Sequence, residues 1–207
     1  PFISFEESED PQGRGIRITV YASNYPGVFS LITGILSSAG FDIKEGIIYT
    51  YDRKEREQKD SLPGEKPRRR GYSRREAKQE TPPKRNIIDQ FIGNSPSDIS
   101  REEWQEMLRQ DLKKLFHILL HNKKDGEEKA RKFVLEKVAG ALGKTTIDTD
   151  KVLYPVEISM GEREKNRVNM KILSQDTPFF LFSISSVFAY HDLSIERVRI
   201  TTMGSRV

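Results

Sequence analysis

Two turns of this 207-residue chain carry residue types that could bind a zwitterionic small molecule. The first reads Asn24-Tyr25-Pro26-Gly27 and the second reads Asp176-Thr177-Pro178-Phe179. An apolar stretch with helical spacing follows each turn, so each is predicted to open a helix. A helix N-terminus offers unpaired N–H groups and a partial positive charge, worth roughly 0.3–1 kcal/mol toward a carboxylate. An acidic side chain one turn earlier can accept a hydrogen bond from an ammonium group.

The two turns divide these features between them. Gly27 lets a ligand approach the backbone without a Cβ in the way, whereas Phe179 is bulky and Asp176 supplies the acid that Asn24 lacks. We rank the first turn above the second, and we expect Gly27→Phe to weaken ligand binding while leaving the fold intact. The alternative is that Pro26 and Pro178 only start helices and that neither turn binds anything. The full set of candidate ligand contacts is Asn24, Tyr25, Pro26, Gly27, Val28, Asp42, Ile43, Asp176, Thr177 and Pro178, with Asp42 expected to restore an acid near the first turn.

The two turns belong to an internal repeat. The stretch Ile16–Thr50 reappears in pattern at Val168–Thr202, at a constant offset of 152 positions without a gap. Both copies show an alternating strand, a polar turn with proline, an apolar helix and a second strand. The repeat therefore predicts two copies of one βαβ-like unit.

The remaining elements extend the first copy. Ser100 and Glu103 form a candidate capping box before a helix that carries Trp104. The predicted strands are Gly15–Ser23, Phe41–Tyr51, Asn86–Gly93 and Val152–Met160, and the predicted helices follow Pro26, run over Ser100–Asn122 and lie near Glu127–Leu142. This order predicts an α+β fold, the ferredoxin-like βαββαβ sandwich, in two copies of which the second is incomplete at its C-terminus. The first domain is predicted over residues 14–160, with an extra helix near 127–142, and the start of a truncated second domain over 161–207.

Charge is concentrated in one segment. Residues 52–85 hold thirteen Lys or Arg and seven Asp or Glu, a balance of 13 − 7 = +6, whereas the whole chain is +4. With few apolar residues this segment is predicted to be disordered. The absence of cysteine suits a reducing cytoplasm, and no apolar run approaches the ~20 residues of a membrane span.

Two motifs within the first copy resemble the ACT domain, a small-molecule-sensing module. They are Asn24-Tyr25-Pro26-Gly27 and Gly40-Phe41-Asp42-Ile43, and the corresponding segments of the second copy fit less closely. The family favours Asp where Asn24 stands and Gly where Phe179 stands. The spacing of the copies resembles the paired ACT region of the bacterial PII uridylyltransferase/uridylyl-removing enzymes, or of related glutamine-synthetase adenylyltransferase-like proteins.

The resemblance implies a regulatory role. Such a pair binds an amino acid, glutamine above all, and controls a nucleotidyltransferase of nitrogen metabolism. The implied partners are the chain's own catalytic domains and, through the parent enzyme, the PII signal protein or glutamine synthetase. It implies no catalysis within this fragment, no cofactor and no membrane partner. The rival interpretation is a structural ACT pair that mediates dimerisation or domain docking without a ligand.

Two further signals favour simpler interpretations. His117 and His121 have the i, i+4 spacing of a metal pair, but they lack a third ligand nearby in the sequence and fit the end of a helix. The basic run Arg68-Arg69-Arg70 is interspersed with acids and lacks an aromatic stacking platform, so a solvated tether is favoured over nucleic-acid binding.

Overall fold

The computed structural model describes residues 1–9, 15–52, 85–121, 125–144, 155–164, 167–175, 177–193, 195 and 198–201. These residues form a mixed α+β structure. The strands are β1 (Phe2–Glu7), β2 (Gly15–Ser23), β3 (Asp42–Asp52), β4 (Arg85–Asn94), β5 (Glu157–Glu164), β6 (Arg167–Leu173) and β7 (Arg199–Thr201). The helices are α1 (Val28–Ser38), α2 (Arg101–His121), α3 (Gly126–Leu142) and α4 (Phe180–Tyr190).

Five of these strands make one antiparallel sheet in the order β1-β2-β4-β3-β7. Strands β5 and β6 pair antiparallel in a separate two-stranded sheet. We refer to the elements from β1 to α2 as the first unit, and to β5, β6, α4 and β7 as the second unit. Helix α3 follows the first unit along the chain and packs on α1 and α2.

The core lies between the five-stranded sheet and the helices. Alternate residues of β2 (Ile16, Ile18 and Val20) are fully buried, because the period of a strand places them all on the helix-covered face. Phe29 of α1 stacks on Phe91 of β4, with ring centroids 6.1 Å apart. Burial of these apolar side chains is the main stabilising contribution to such a layer.

The N-terminus of α2 confirms the predicted capping residue. The Ser100 Oγ accepts a hydrogen bond from the Glu103 backbone N–H at 3.3 Å. Trp104 in the first turn is buried, and its Nε1 donates to the Ala39 carbonyl at 2.8 Å. The cap and the tryptophan together place α2 against the end of α1.

Contacts between the two units repeatedly join positions 152 residues apart. Thr33 of α1 and Ser185 of α4 are buried and share a hydrogen bond of 3.4 Å, and their separation in sequence is 152. Ile47 of β3 pairs with Arg199 of β7, a separation of 199 − 47 = 152. Equivalent positions therefore meet each other both in the helix layer and in the sheet, as expected when two similar units pack about a two-fold axis.

Backbone conformation follows the same offset. The described residues with positive φ are Gly27, Gly40, Phe179 and Asp192, at 68°, 75°, 62° and 54°. These four residues form two pairs separated by 152 positions. The units share the left-handed residue before the helix and the left-handed residue after it, although only the first unit uses glycine for both.

The order of strands differs from the sequence-based expectation. The strand predicted at Val152–Met160 was expected to close the first sandwich, but β5 spans Glu157–Glu164 and pairs with β6. The place beside β2 is taken by β1, which the sequence analysis did not predict. Ile3 and Phe5 alternate with polar residues there, and this short period-two pattern was the available signal. The expected domain boundary at residue 160 therefore falls inside β5. The disorder predicted for residues 52–85 concerns mainly residues 53–84, which lie outside the described part.

Candidate functional site

The first turn is closed by the second unit. Gly27 is the residue before α1, and no side chain caps the helix. The Gly27 carbonyl accepts from the Ser30 Oγ at 2.8 Å. A Cβ added at Gly27 would lie 3.1 Å from the Ala189 Cβ, near the C-terminal end of α4. We therefore expect Gly27→Phe to strain the first turn, because the side chain would need a left-handed backbone and space beside Ala189.

The other residues of the first turn have structural partners. The Asn24 backbone N–H donates to the Arg85 carbonyl at 2.9 Å, and the Val28 N–H donates to the Tyr25 carbonyl at 3.0 Å. Tyr25 is half-buried against the core, and burial raises the pKa of its phenol. Pro26 is exposed and Val28 is buried. Asn24 does not cap α1, since Gly27 occupies that position.

The second turn opens onto a cleft. Thr177 and Pro178 precede Phe179, whose φ of 62° makes it the left-handed residue before α4. The Phe180 N–H donates to the Thr177 carbonyl at 3.0 Å. Asp176, the acid predicted for this turn, lies outside the described residues. The turn therefore places the N-terminus of α4 at the cleft wall.

This cleft has a volume of about 940 Å³ and four walls. The first wall is the end of α1 with the segment Gly40-Phe41-Asp42-Ile43, and the second is the turn Thr177–Phe179 with the start of α4. The third is the C-terminal half of α3, and the fourth is the loop after β4 with the first turns of α2, which contribute Asp98 and Trp104. Its volume falls in the usual range of small-molecule sites, roughly 300–1,000 Å³, so an amino acid would fill only part of it.

Both signs of charge line the cleft. Asp42, Asp98 and Glu136 are its acidic residues, and Lys137 and Lys144 are its basic ones. Two of them already have partners nearby, because Asp42 Oδ2 lies 2.8 Å from Lys44 Nζ and Lys137 Nζ lies 2.8 Å from Asp111 Oδ2. The remaining charges, Asp98, Glu136 and Lys144, could face a ligand that carries both an ammonium and a carboxylate.

The structure divides the predicted site residues into two groups. Asp42, Ile43, Thr177 and Pro178 line the cleft together. The segment from Asn24 to Val28 is absent from its lining, because the 11 residues of α1 separate the two ends by about 16 Å at 1.5 Å per residue. Asp42 thus accompanies the second turn, although the sequence analysis placed it with the first.

Sequence reasoning missed the contribution of α3. Glu136 and Gly140 line the cleft from that helix and Lys144 lines it just after the helix ends, and α3 has no counterpart in the repeat pattern. The spacing of four residues places Glu136 and Gly140 on one helix face, and this spacing was the only available signal. A Cβ built at Gly140 meets no heavy atom within 4 Å, so α3 presents open space to the cleft there.

The histidine pair forms a local contact. The rings of His117 and His121 stack with centroids 4.0 Å apart, and His121 Nδ1 lies 3.1 Å from the His117 carbonyl oxygen. Within the described ranges, no group of three or more His, Cys, Asp or Glu side chains is arranged to hold a metal ion. The pair lies at the end of α2, as its sequence position indicates.

A buried carboxyl group in β4 was also missed. Asp89 is fully buried, and neither of its carboxyl oxygens has a hydrogen-bond partner among the described residues. Its strand neighbours are Val20 and Ile48, both buried and apolar. Burial raises the pKa of Asp89 to about 7.

Comparison of the chain with protein-family models, with curated proteins and with solved structures finds no match. Among the described residues, none of the helices has the length and apolar character that spanning a bilayer requires.

Proposed function

We propose that the chain is a regulatory pair of ACT-type, ferredoxin-like units that binds an amino acid, with glutamine as the first candidate. In this proposal the ligand controls a nucleotidyltransferase of cytoplasmic nitrogen metabolism, of the PII uridylyltransferase or glutamine-synthetase adenylyltransferase type. The residues of this chain bind and transmit, and they carry out no chemical step. The supporting observation is the cleft that unites Gly40–Ile43 of the first unit with the turn Thr177–Phe179 of the second.

The chemistry of the cleft suits an α-amino acid. The N-terminus of α4 offers backbone N–H groups to the ligand carboxylate, and Lys144 adds a positive charge at the same cleft. Asp98 and Glu136 supply acceptors for the ammonium group. The ligand would contact both units, so its binding free energy would depend on how they pack together, with a coupling on the order of 1–3 kcal/mol.

Filling the cleft from α3 tests this site. In the 207-residue chain, Gly140→Phe is expected to weaken glutamine binding at least tenfold in isothermal titration calorimetry. The added ring would enter open space, because nothing lies within 4 Å of a Cβ at this position. The melting temperature without ligand should therefore stay at or above that of the unmodified chain.

Gly140→Ala is the matched control. It introduces the same Cβ and gains helix propensity of about 0.5–1 kcal/mol, more than phenylalanine does, but it leaves most of the cleft open. Glutamine affinity should be retained in this variant. Equal affinity in Gly140→Phe and Gly140→Ala would show that the ligand binds elsewhere.

The second candidate function is a structural pair that docks other domains without a ligand. The exposed apolar side chains of β5 and β6 favour it, since such surfaces commonly mark interfaces. A thermal-shift screen of the chain against the twenty amino acids separates the two candidates. A ligand that binds only the folded state must raise the melting temperature, so a flat response to all twenty would refute sensing and support docking.

A further inference from the structure

One face of the β5–β6 hairpin is apolar and open to solvent. Ile158, Met160, Val168 and Met170 are 58%, 62%, 46% and 36% exposed. The register places Met160 opposite Met170 and Ile158 opposite Ile172, so these side chains share one face. A solvent-exposed apolar stripe of this kind is expected to be covered by another element.

The first unit shows the same face in a covered state. The equivalent residues of β2 are Ile16, Ile18 and Val20, which lie 152 positions before Val168, Met170 and Ile172. All three are fully buried. Across the strand, Ile3 faces Val20 as Ile158 faces Ile172. Ile3 is only 6% exposed, compared with 58% for Ile158. The difference between the units is therefore in what covers the face, since both present apolar side chains on it.

The cover in the first unit consists of a strand followed by a helix. Strand β4 pairs with both β2 and β3 and joins them into one sheet. Helix α2 then packs against β1, where Trp104 lies edge-on to Phe5 at 6.3 Å between centroids. Arg109 Nη1 donates to the Ile3 carbonyl at 2.9 Å, and its guanidinium lies 4.9 Å from the centre of the Phe5 ring.

The second unit has no counterpart of either element among the described residues. Strand β6 pairs with β5 alone, and β7 pairs with β3 alone, so β6 and β7 are not joined. Helix α4 has one buried residue, Ser185, whereas α1, of equal length, has nine. The sheet edge and the helix are thus exposed together, which indicates that one covering unit would serve both.

We propose that the β5–β6 face is the docking surface for a β-strand followed by an amphipathic helix, provided by the same polypeptide as the counterpart of β4 and α2. The strand hydrogen-bonds between β6 and β7, and the apolar side of the helix covers Ile158, Met160, Val168 and Met170. A tethered segment fits better than a free partner, because in the first unit the cover comes from the chain that follows β3. A tether also supplies an effective concentration of up to about millimolar.

An extended chain tests the proposal. The sequence of residues 85–121 is joined after Val207 through a glycine–serine linker as long as residues 53–84. Hydrogen exchange of the β6 amides and the fluorescence of the dye ANS are compared with those of the 207-residue chain. We expect at least tenfold slower exchange in β6 and lower ANS fluorescence, because the added strand pairs with the open edge and the added helix covers the apolar face.

A matched extension carries serine at the positions copied from Leu108, Leu112 and Leu115, which are buried in α2. It should give neither protection nor loss of dye binding, and equal behaviour of the two extensions would overturn the proposal. The 207-residue chain supplies a second readout, since Met170→Ser should lower ANS fluorescence without changing the melting temperature. Ultracentrifugation showing a dimer that Met170→Ser dissociates would assign the face to a second copy instead.

Discussion

Asp89→Asn is expected to raise the free energy of unfolding by about 2–4 kcal/mol at pH 8. The pKa of Asp89 is raised to about 7 by burial, whereas an exposed aspartate has a pKa near 3.9. The folded state therefore keeps a proton that the unfolded state loses as the pH rises from about 4 to about 7. Stability is lost over this interval, and above pH 7 a charged carboxylate remains buried without a partner. Asparagine has a similar shape and no charge, so it removes the penalty.

Urea unfolding between pH 4 and pH 8 measures this effect. The unmodified chain should lose stability across the interval, and Asp89→Asn should remove this contribution. Near pH 4 the two proteins should differ by less than about 1 kcal/mol, because both carry a neutral side chain at this position. Asp42→Asn is the control, since Asp42 is half exposed and its ion pair with Lys44 contributes little. Identical pH curves for the unmodified chain and Asp89→Asn would mean that the carboxyl is stabilised by a group outside the described residues.

Gly34→Ala is expected to lower the free energy of unfolding by about 1–3 kcal/mol, against its favourable helix propensity. Gly34 lies where α1 crosses two other helices. A Cβ there would overlap the Val134 Cγ1 of α3 and would lie 2.9 Å from Cδ2 of Phe182 in α4. Valine is stiff at its Cβ, so the overlap requires a shift of α3 itself. Chemical denaturation of the 207-residue chain measures the change.

The same substitution at Gly140 is the control for this effect. Both glycines lie within helices, but Gly140 has open space around it, so Gly140→Ala should stabilise the chain by about 0.5–1 kcal/mol. The two substitutions are therefore expected to change the free energy of unfolding in opposite directions. Stabilisation by both substitutions would contradict the close crossing of α1 with α3 and α4.

Local sequence patterns predicted individual strands and helices. They could not predict which strands pair when those strands lie far apart in the chain. The strand Gly15–Ser23 and the cap at Ser100 were predicted correctly, because alternation and capping act within a few residues. The edge beside β2 was assigned to the wrong strand. Both β1 and β5 have sequences that suit an edge, and which of them pairs with β2 depends on contacts far apart in the chain.

The residues of the candidate site could also be predicted only in part, because their grouping depends on contacts between distant elements. Sequence indicated both turns and the segment Gly40–Ile43, but it grouped Asp42 with the wrong turn. Which turn opens to a cleft depends on the antiparallel packing of α1 on α4, and this packing places Ala189 against Gly27 and leaves Thr177 at the cleft. Gly140 and Glu136 of α3 could not be assigned from the repeat, because α3 belongs to neither copy of its pattern.

The hydrogen bond between Thr33 and Ser185 has a consequence for how the chain responds to dilution. Two separate subunits meeting through equivalent residues would form an isologous dimer, and a site between them would disappear as the subunits dissociate. Here both halves lie on one polypeptide. A cleft shared by the halves is consequently present at any protein concentration, and its occupancy depends only on the concentration of its ligand.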